Sequence, residues 1–202
     1  MIGYIMSSTE DNRLCSIERE VFGMKMDETS LSEQQKYEEL HTTSRGYQIA
    51  NHGVGHLDAV CQMLQPVGSV VELGSGNGKM ACAMAVRGLP VVATDIAKTA
   101  GVFTNEFTVP FDKVVHSAWE TWPKVMQADW CVSFDFLEHL PPEKVDEVFK
   151  RIKENIKRGC FHNICTVMDV RGNKDPANAL HLTVRPASWW VNKCTEYFKH
   201  VR

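Results

Sequence analysis

An α/β domain is the fold class that the sequence predicts, with a doubly wound, mostly parallel sheet and helices on both faces. Three observations lead there. Short apolar runs of strand length alternate with helical segments. The glycine-rich stretch VVELGSGNGKM stands where the first such run passes into a helix. With 202 residues, 44% of them hydrophobic and 23% charged, the chain supplies one core rather than two.

Residues 1–35 are polar and weakly periodic, so a loosely attached or mobile arm is expected there and the domain proper over 36–202. Leu40, Tyr47, Ile49, Val54, Leu57, Val60, Cys61 and Leu64 give one or two helices, interrupted near Gly53 and Gly55 and ended by Pro66 and Gly68. Residues 69–73 then form a strand, 79–87 an Ala/Met-rich helix closed by Gly88, and 89–94 a second strand. Residues 113–116 and 130–134 are short buried strands. The clearest helix lies between 141 and 159, with Val145, Val148, Phe149, Ile152 and Ile156 on one face and Lys and Glu on the other. Residues 160–167 make a fifth strand, and 186–198 a last helix rich in aromatics. Parallel strands require crossovers, and the crossover helices cover both faces of the sheet.

Charge and composition exclude several function classes. The 22 Lys+Arg against 25 Asp+Glu give a net charge of -3 without a long basic run, so no surface for a polyanion is indicated. The apolar runs fall far short of the roughly 20 residues of a membrane helix. The segment MIGYIMSSTEDNR lacks the basic and apolar regions of a signal peptide, and a cytoplasmic location is expected. Seven cysteines (Cys15, Cys61, Cys82, Cys131, Cys160, Cys165 and Cys194) are scattered without a CxxC pair, which fits reduced, buried thiols.

The glycine stretch sits where an open α/β sheet binds ligands. Gly74 and Gly76 permit a tight turn and close backbone approach, and the next helix offers its free N–H groups. A nucleotide-like ligand follows. The dinucleotide pattern GxGxxG would need glycine where Lys79 stands, and the phosphate loop GxxxxGK[ST] has no match.

ELGSGNGK resembles the first motif of class I S-adenosylmethionine-dependent methyltransferases, E/DxGxGxG, with Glu72 as the acid and Gly74, Gly76 and Gly78 as the glycines. VVATDIA resembles the second motif, in which an acid at the end of strand two holds both ribose hydroxyls; Asp95, 17 residues after Gly78, takes that place. DWCVSFDFLEHLPPE resembles the fourth strand and its following loop. The resemblance implies the class I fold and S-adenosylmethionine as cofactor, bound by Glu72, Gly74, Ser75, Gly76, Asn77, Gly78, Asp95, Ile96, Ala118, Trp119 and Phe134, with Ile96 against the adenine and Trp119 stacking there. A sulfonium cofactor has no phosphate, so no lysine is needed in the glycine loop, while Asp95 can accept two hydroxyl hydrogen bonds.

The acceptor side is expected from the N-terminal helices, the segment after Phe134 and residues 168–190, with Asp135, His139 and His181 as the catalytic candidates. Asp135, Glu138, His139 and His181 also resemble the set that binds a divalent metal, Mg2+ or another, in small-RNA 2'-O-methyltransferases and some quinone O-methyltransferases. Those families usually carry Glu where Asp135 stands, and local helix capping explains Glu138 and His139 without a metal. His52 and His56 stand four apart and are candidates to face acceptor or cofactor, although the glycines between them disfavour a regular helix. Of Trp189 and Trp190, one is expected in the core and the other on the pocket wall.

The place of the [DNS]PP[YFW] motif of DNA amino-methyltransferases reads Asp135-Phe136-Leu137-Glu138, and the Pro-Cys pair of cytosine C5 enzymes is absent, so DNA base methylation is disfavoured. The resembling fold closes with an antiparallel hairpin, yet the sequence ends at YFKHVR, so a shortened or missing hairpin, or a protein partner at that edge, is expected. The expected activity is methyl transfer to an oxygen or nitrogen of a small or medium-sized acceptor. The alternatives are a metal-assisted RNA 2'-O-methyltransferase and a non-catalytic, cofactor-binding partner of another methyltransferase.

Overall fold

The computed structural model describes residues 26–49, 53–169 and 179–201; most of the expected arm and His52 lie outside them. Five strands form one sheet: β1 (Val70–Leu73), β2 (Val91–Asp95), β3 (Asp112–Val115), β4 (Ala128–Phe134) and β5 (Ile156–Asn163). Their order is β3-β2-β1-β4-β5 and every pairing is parallel, in register from Val70↔Val91 and Val70↔Trp130 at the start of β1. The helices are α1 (Glu28–Thr43), α2 (Arg45–Ile49), α3 (Leu57–Met63), α4 (Lys79–Val86), α5 (Gly101–Thr104), α6 (Val145–Asn155) and α7 (Ala187–Tyr197).

The pleat of the strands divides the core in two, because successive side chains point to opposite faces. Val70, Val91, Ala93 and Val132 go to the face covered by α3 and α4, where Val60, Leu64, Met80 and Met84 are buried. Val71, Val92, Val114 and Cys131 go to the other face, where Val148, Phe149 and Ile152 of α6 and Trp190 of α7 are buried. Phe149 is fully buried and stacks on Tyr197 with ring centroids 5.5 Å apart.

The element boundaries differ from expectation in two places that matter. Ile156 continues the apolar face of α6 in sequence, but the helix stops at Asn155 and Ile156 opens β5, so this strand runs from 156 to 163 rather than from 160 to 167. A β-branched residue followed by Lys157, Arg158 and Gly159 suits an edge strand at least as well as a helix end. Among the described residues no sixth strand follows, and β5 pairs with β4 alone. At the other end α1 begins inside the stretch read as an arm. Its N-cap Asp27 accepts the Ser30 N–H at 2.6 Å, and Ser30, Tyr37 and His41 are its buried residues. So polar a helix is set by its cap and its docking rather than by an apolar stripe. No helix among the described residues is long and apolar enough to cross a membrane.

Because Phe149 anchors the α6 face, Phe149→Ala should destabilise the domain by about 3–5 kcal/mol. Val191→Ala, on the exposed side of α7, should stay within about 0.5 kcal/mol of wild type. Urea melts of both variants read this; equal losses would mean that the α6 face is not the packed core.

Candidate functional site

The strand order reverses between β1 and β4, so the connections leaving these neighbours run to opposite sides and a crevice opens at their carboxyl ends. A cavity of about 720 Å³ lies there. Its floor is the turn after β1, where Gly74 and Gly76 take φ values of 67° and 51°. A Cβ on Gly74 would come within 2.5 Å of the Phe136 ring, whereas one on Gly76 would meet nothing within 4 Å. Gly76 is therefore required for its left-handed backbone, and that backbone borders open space. Ser75 ties the turn to β2 by donating its N–H to the Thr94 carbonyl at 2.8 Å and accepting the Thr94 N–H at 3.2 Å.

Of the expected cofactor residues Glu72, Gly74, Ser75, Gly76, Asn77, Asp95, Ile96, Ala118, Trp119 and Phe134 all line this cavity. Gly78 does not. It is the N-cap of α4 at φ 77°, and a Cβ there would collide with the Phe107 ring at 2.5 Å, so its place in the motif is met by packing.

Asp95 ends β2 with its carboxylate against the glycine turn: one oxygen accepts the Gly76 N–H at 2.9 Å and the other the Ala97 N–H at 3.0 Å. Each oxygen keeps a further lone pair for a ligand. Burial raises Asp95 above the usual carboxylate range, opposed by His41 and these amides, and burial lowers His41 in turn. Glu72 is buried beside it with one oxygen unpartnered, and loss of solvation pushes its carboxyl up to about 8. Among the described residues the lining includes five acids, Glu33, Glu72, Asp95, Asp135 and Asp169, and neither lysine nor arginine. Glu72 is neutral at pH 7, so the wall is less charged than its composition, but the described lining offers no cationic side chain to a phosphate.

Trp119 is buried and belongs both to the core and to the cavity wall. His116, which no sequence motif marks, also lines the cavity; burial holds it down at about 4, and its Nε2 has no hydrogen-bond partner among the described residues. The helix α1 closes the cavity from the far side. Gln34 donates to the Ile96 carbonyl at 2.9 Å, and the Tyr37 hydroxyl meets His139 Nδ1 at 2.9 Å. Tyr37 and Tyr47 line the cavity, and burial pushes both phenols well up, so both stay protonated. Nothing in the polar sequence of α1 marks it as a roof.

The loop after β4 carries the acceptor-side candidates. Asp135 lines the cavity at a φ of 46°, a strained value for a residue with a side chain, and its N–H donates to the Asn163 carbonyl at 3.0 Å. His139 also lines the cavity; burial lowers it to about 3, so the ring is neutral. His181 stands against it with ring centroids 4.8 Å apart. The Val167 carbonyl accepts from His181 Nδ1 at 2.8 Å, which fixes a proton on that nitrogen and turns Nε2 to the other side of the ring. Glu138 is fully buried behind them; one oxygen accepts the Cys165 N–H at 2.8 Å, the other is unpartnered, and burial pushes the carboxyl up to about 7.

The expected metal set is rearranged. Among the described residues, potential ligand atoms converge at Glu138, Cys165 and His181, all within 4.8 Å of one another, and neither Asp135 nor His139 belongs to that group. His139 is instead engaged by Tyr37. Cys165 was unreadable as a candidate because its neighbours in space are remote in sequence. Neither tryptophan of the pair walls the pocket: Trp190 is buried in the core, and Trp189 packs beside it between Arg185 and Lys193. His56 stacks on Phe134 at 6.1 Å, outside the lining. The six described cysteines are free, but only Cys131 is buried as expected; the other five are half-buried.

No family model matches the chain, and no curated protein sequence does. Solved structures do. A structure from the conversion of a disulfide bond into a thioacetal group during echinomycin biosynthesis is 14% identical, with 81% of this chain and 78% of that one covered at a TM-score of 0.60. Phosphoethanolamine N-methyltransferase 2 of Haemonchus contortus, in complex with S-adenosylmethionine, is 17% identical over 87% of this chain and 44% of its own length, at a TM-score of 0.59. The CcbJ methyltransferase of Streptomyces caelestis is 12% identical over 81% of this chain and 85% of that one, at a TM-score of 0.57. The chain thus has the class I methyltransferase fold, and it spans less than half the length of the Haemonchus enzyme. The RNA and non-catalytic alternatives draw no support from these likenesses.

The buried acid beneath the glycine turn has a measurable signature. Glu72 has its folded pKa raised from 4.5 to about 8, so its contribution to stability is full below 4.5 and is lost as pH rises through 8. Glu72→Gln removes that loss. The stability of the variant relative to wild type should therefore grow between pH 5 and pH 8, by an amount on the order of a few kcal/mol. A difference in urea-melt stability that does not change with pH would show that the carboxyl is solvated.

Proposed function

We propose that the chain is an S-adenosylmethionine-dependent methyltransferase acting on an oxygen or nitrogen of a small or medium-sized acceptor. The observation that carries this reading is the cavity at the switch point, bordered by the left-handed Gly76 and by Asp95, whose two oxygens accept the Gly76 and Ala97 N–H groups and each keep room for a further hydrogen bond; among the described residues no lysine or arginine lines it. A phosphate-bearing cofactor would want cationic side chains, which the described lining lacks, whereas a sulfonium cofactor carries no phosphate to satisfy. The same wall speaks against an RNA backbone as acceptor. A volume of about 720 Å³ is of the size that small-molecule sites have.

When bound, the cofactor supplies an electrophilic methyl group to a nucleophile aligned behind it. The chain contributes positioning and a place for a proton. Asp95 is assigned the ribose hydroxyls, Ile96 and Ala118 the adenine flank, and Trp119 a stacking face. The roof, through Tyr37 and Tyr47, keeps water from the acceptor end. His181, its Nδ1 held by the Val167 carbonyl, presents Nε2 to a proton leaving the acceptor. His139 and Tyr37, paired and neutral, line the way without adding charge.

Calorimetric titration with S-adenosylhomocysteine, beside NAD as control, tests the cofactor assignment. Micromolar binding of the first and none of the second is expected; the reverse preference would sink the reading. Asp95→Ala should weaken S-adenosylhomocysteine by about 1–3 kcal/mol, the size of charge-assisted hydrogen bonds lost. With an acceptor found by screening, His181→Ala should lower turnover by roughly 10²–10⁴-fold at unchanged cofactor affinity.

A further inference from the structure

Glu138, Cys165 and His181 come from three separate parts of the chain: the turn after β4, the segment after β5, and the stretch before α7. Each offers a ligand atom within 4.8 Å of the other two. A second, independent feature points the same way: the Glu138 side chain is fully buried, and one of its carboxylate oxygens has no partner among the described residues. A buried carboxylate oxygen left unpaired is costly, and a bound cation removes that cost. Cys165 and His181 line the cavity while Glu138 stands behind them, so an ion among the three would keep its remaining position toward the cavity.

We propose that Glu138, Cys165 and His181 form a binding site for a divalent transition metal of the zinc type. The donors are one oxygen, one sulfur and one nitrogen. Thiolate and imidazole select a borderline-soft ion, whereas magnesium and calcium take oxygen cages. Three protein ligands with a fourth position open is the arrangement of sites that bind and activate a small molecule rather than of purely structural ones. Zinc–ligand lengths of roughly 2.0–2.3 Å put tetrahedral donors about 3.5 Å apart, so the three side chains need to close in by about an ångström. The Val167 carbonyl acts as the outer partner of His181, fixing the tautomer whose Nε2 can bind metal. An ion there would hold the acceptor's oxygen, nitrogen or sulfur and lower its pKa, taking over from His181 the task of freeing the nucleophile. Metal binding itself needs neither cofactor nor acceptor, so it stands or falls apart from the methyl-transfer reading.

The test is a titration of the reduced, full-length chain with Zn2+ against a chromophoric chelator, repeated with Co2+ and read by absorption. One tightly bound equivalent is expected, with a thiolate-to-cobalt charge-transfer band and the visible bands of a tetrahedral ion, and no competition from Mg2+. Cys165→Ser should abolish the charge-transfer band. Glu138→Gln and His181→Ala should weaken Zn2+ by at least the roughly 10–100-fold that loss of a mere outer partner costs. Cys61→Ser, remote from the cluster, should change nothing, and circular dichroism checks that each variant is folded. Absence of a stoichiometric ion in the wild type would overturn the proposal, as would a cobalt spectrum that survives Cys165→Ser. Should Glu138→Gln fail to fold, the wild-type and Cys165→Ser spectra decide alone.

Discussion

Parallel strand direction is the constraint from which everything functional here follows. When every strand runs the same way, every carboxyl end lies on one edge of the sheet, and the turns that leave those ends gather along that edge. Gly76 after β1, Asp95 at the end of β2, His116 after β3, Asp135 after β4 and Cys165 after β5 are therefore neighbours, although 89 positions separate the first from the last. The order β3-β2-β1-β4-β5 then fixes the middle of that row, because the crevice opens only where the order reverses. No single side chain has to create the site. It is prepared by topology and finished by whichever residues stand at the five strand ends.

How much of this could be read in the sequence depended on whether the information was local. The glycine turn was legible because its residue types serve a backbone conformation: a φ of 51° at Gly76 and a collision with Phe136 at Gly74 leave no alternative side chain. The strands were legible as apolar runs, and Asp95 as an acid at a strand end. What failed was local ambiguity and long-range assembly. Ile156 extends a helical face and also begins a strand, and only pairing with Ala128 decides between them. The roof α1 carries too few apolar residues to announce its contacts, and Cys165 becomes a candidate only when the end of β5 is laid beside Glu138 and His181. One of Trp189 and Trp190 read as a pocket aromatic because aromatic residues serve cores and pockets equally well.

The cavity is acidic in composition, yet much of its potential charge is suppressed. Burial pushes Glu72 to about 8 and Glu138 to about 7, and it holds His116 at about 4 and His139 at about 3. All four shifts have desolvation as their largest cause, and all four favour the neutral form. The interior wall thus avoids the cost of isolated charges while keeping polar atoms unpaired at Glu72, His116 and Glu138. Such atoms lower stability in the empty protein and are available to a ligand that pairs them. A site of this kind sacrifices part of the folding free energy so that the ligand need not compete with internal hydrogen bonds.

The roof obeys the opposite logic. Besides the buried Tyr37 ring, its attachments are polar: Lys144 to Asp27, Ser30 to Glu120, Gln34 to the Ile96 carbonyl, Thr99 to the Glu38 carbonyl, and the Tyr37 hydroxyl to His139. The neutral ones among these contribute only about 0.5–1.5 kcal/mol each, because water replaces them when they break, and those to Asp27 and Glu120 about 1.5–3 kcal/mol. The sheet faces, by contrast, are held by fully buried Val, Met, Phe and Ile side chains that water cannot compensate. The energetic division therefore coincides with the functional one. The sheet carries the strand ends and so fixes the positions of the reacting groups, whereas α1 joins it through buried Tyr37 together with a set of polar contacts around the cavity.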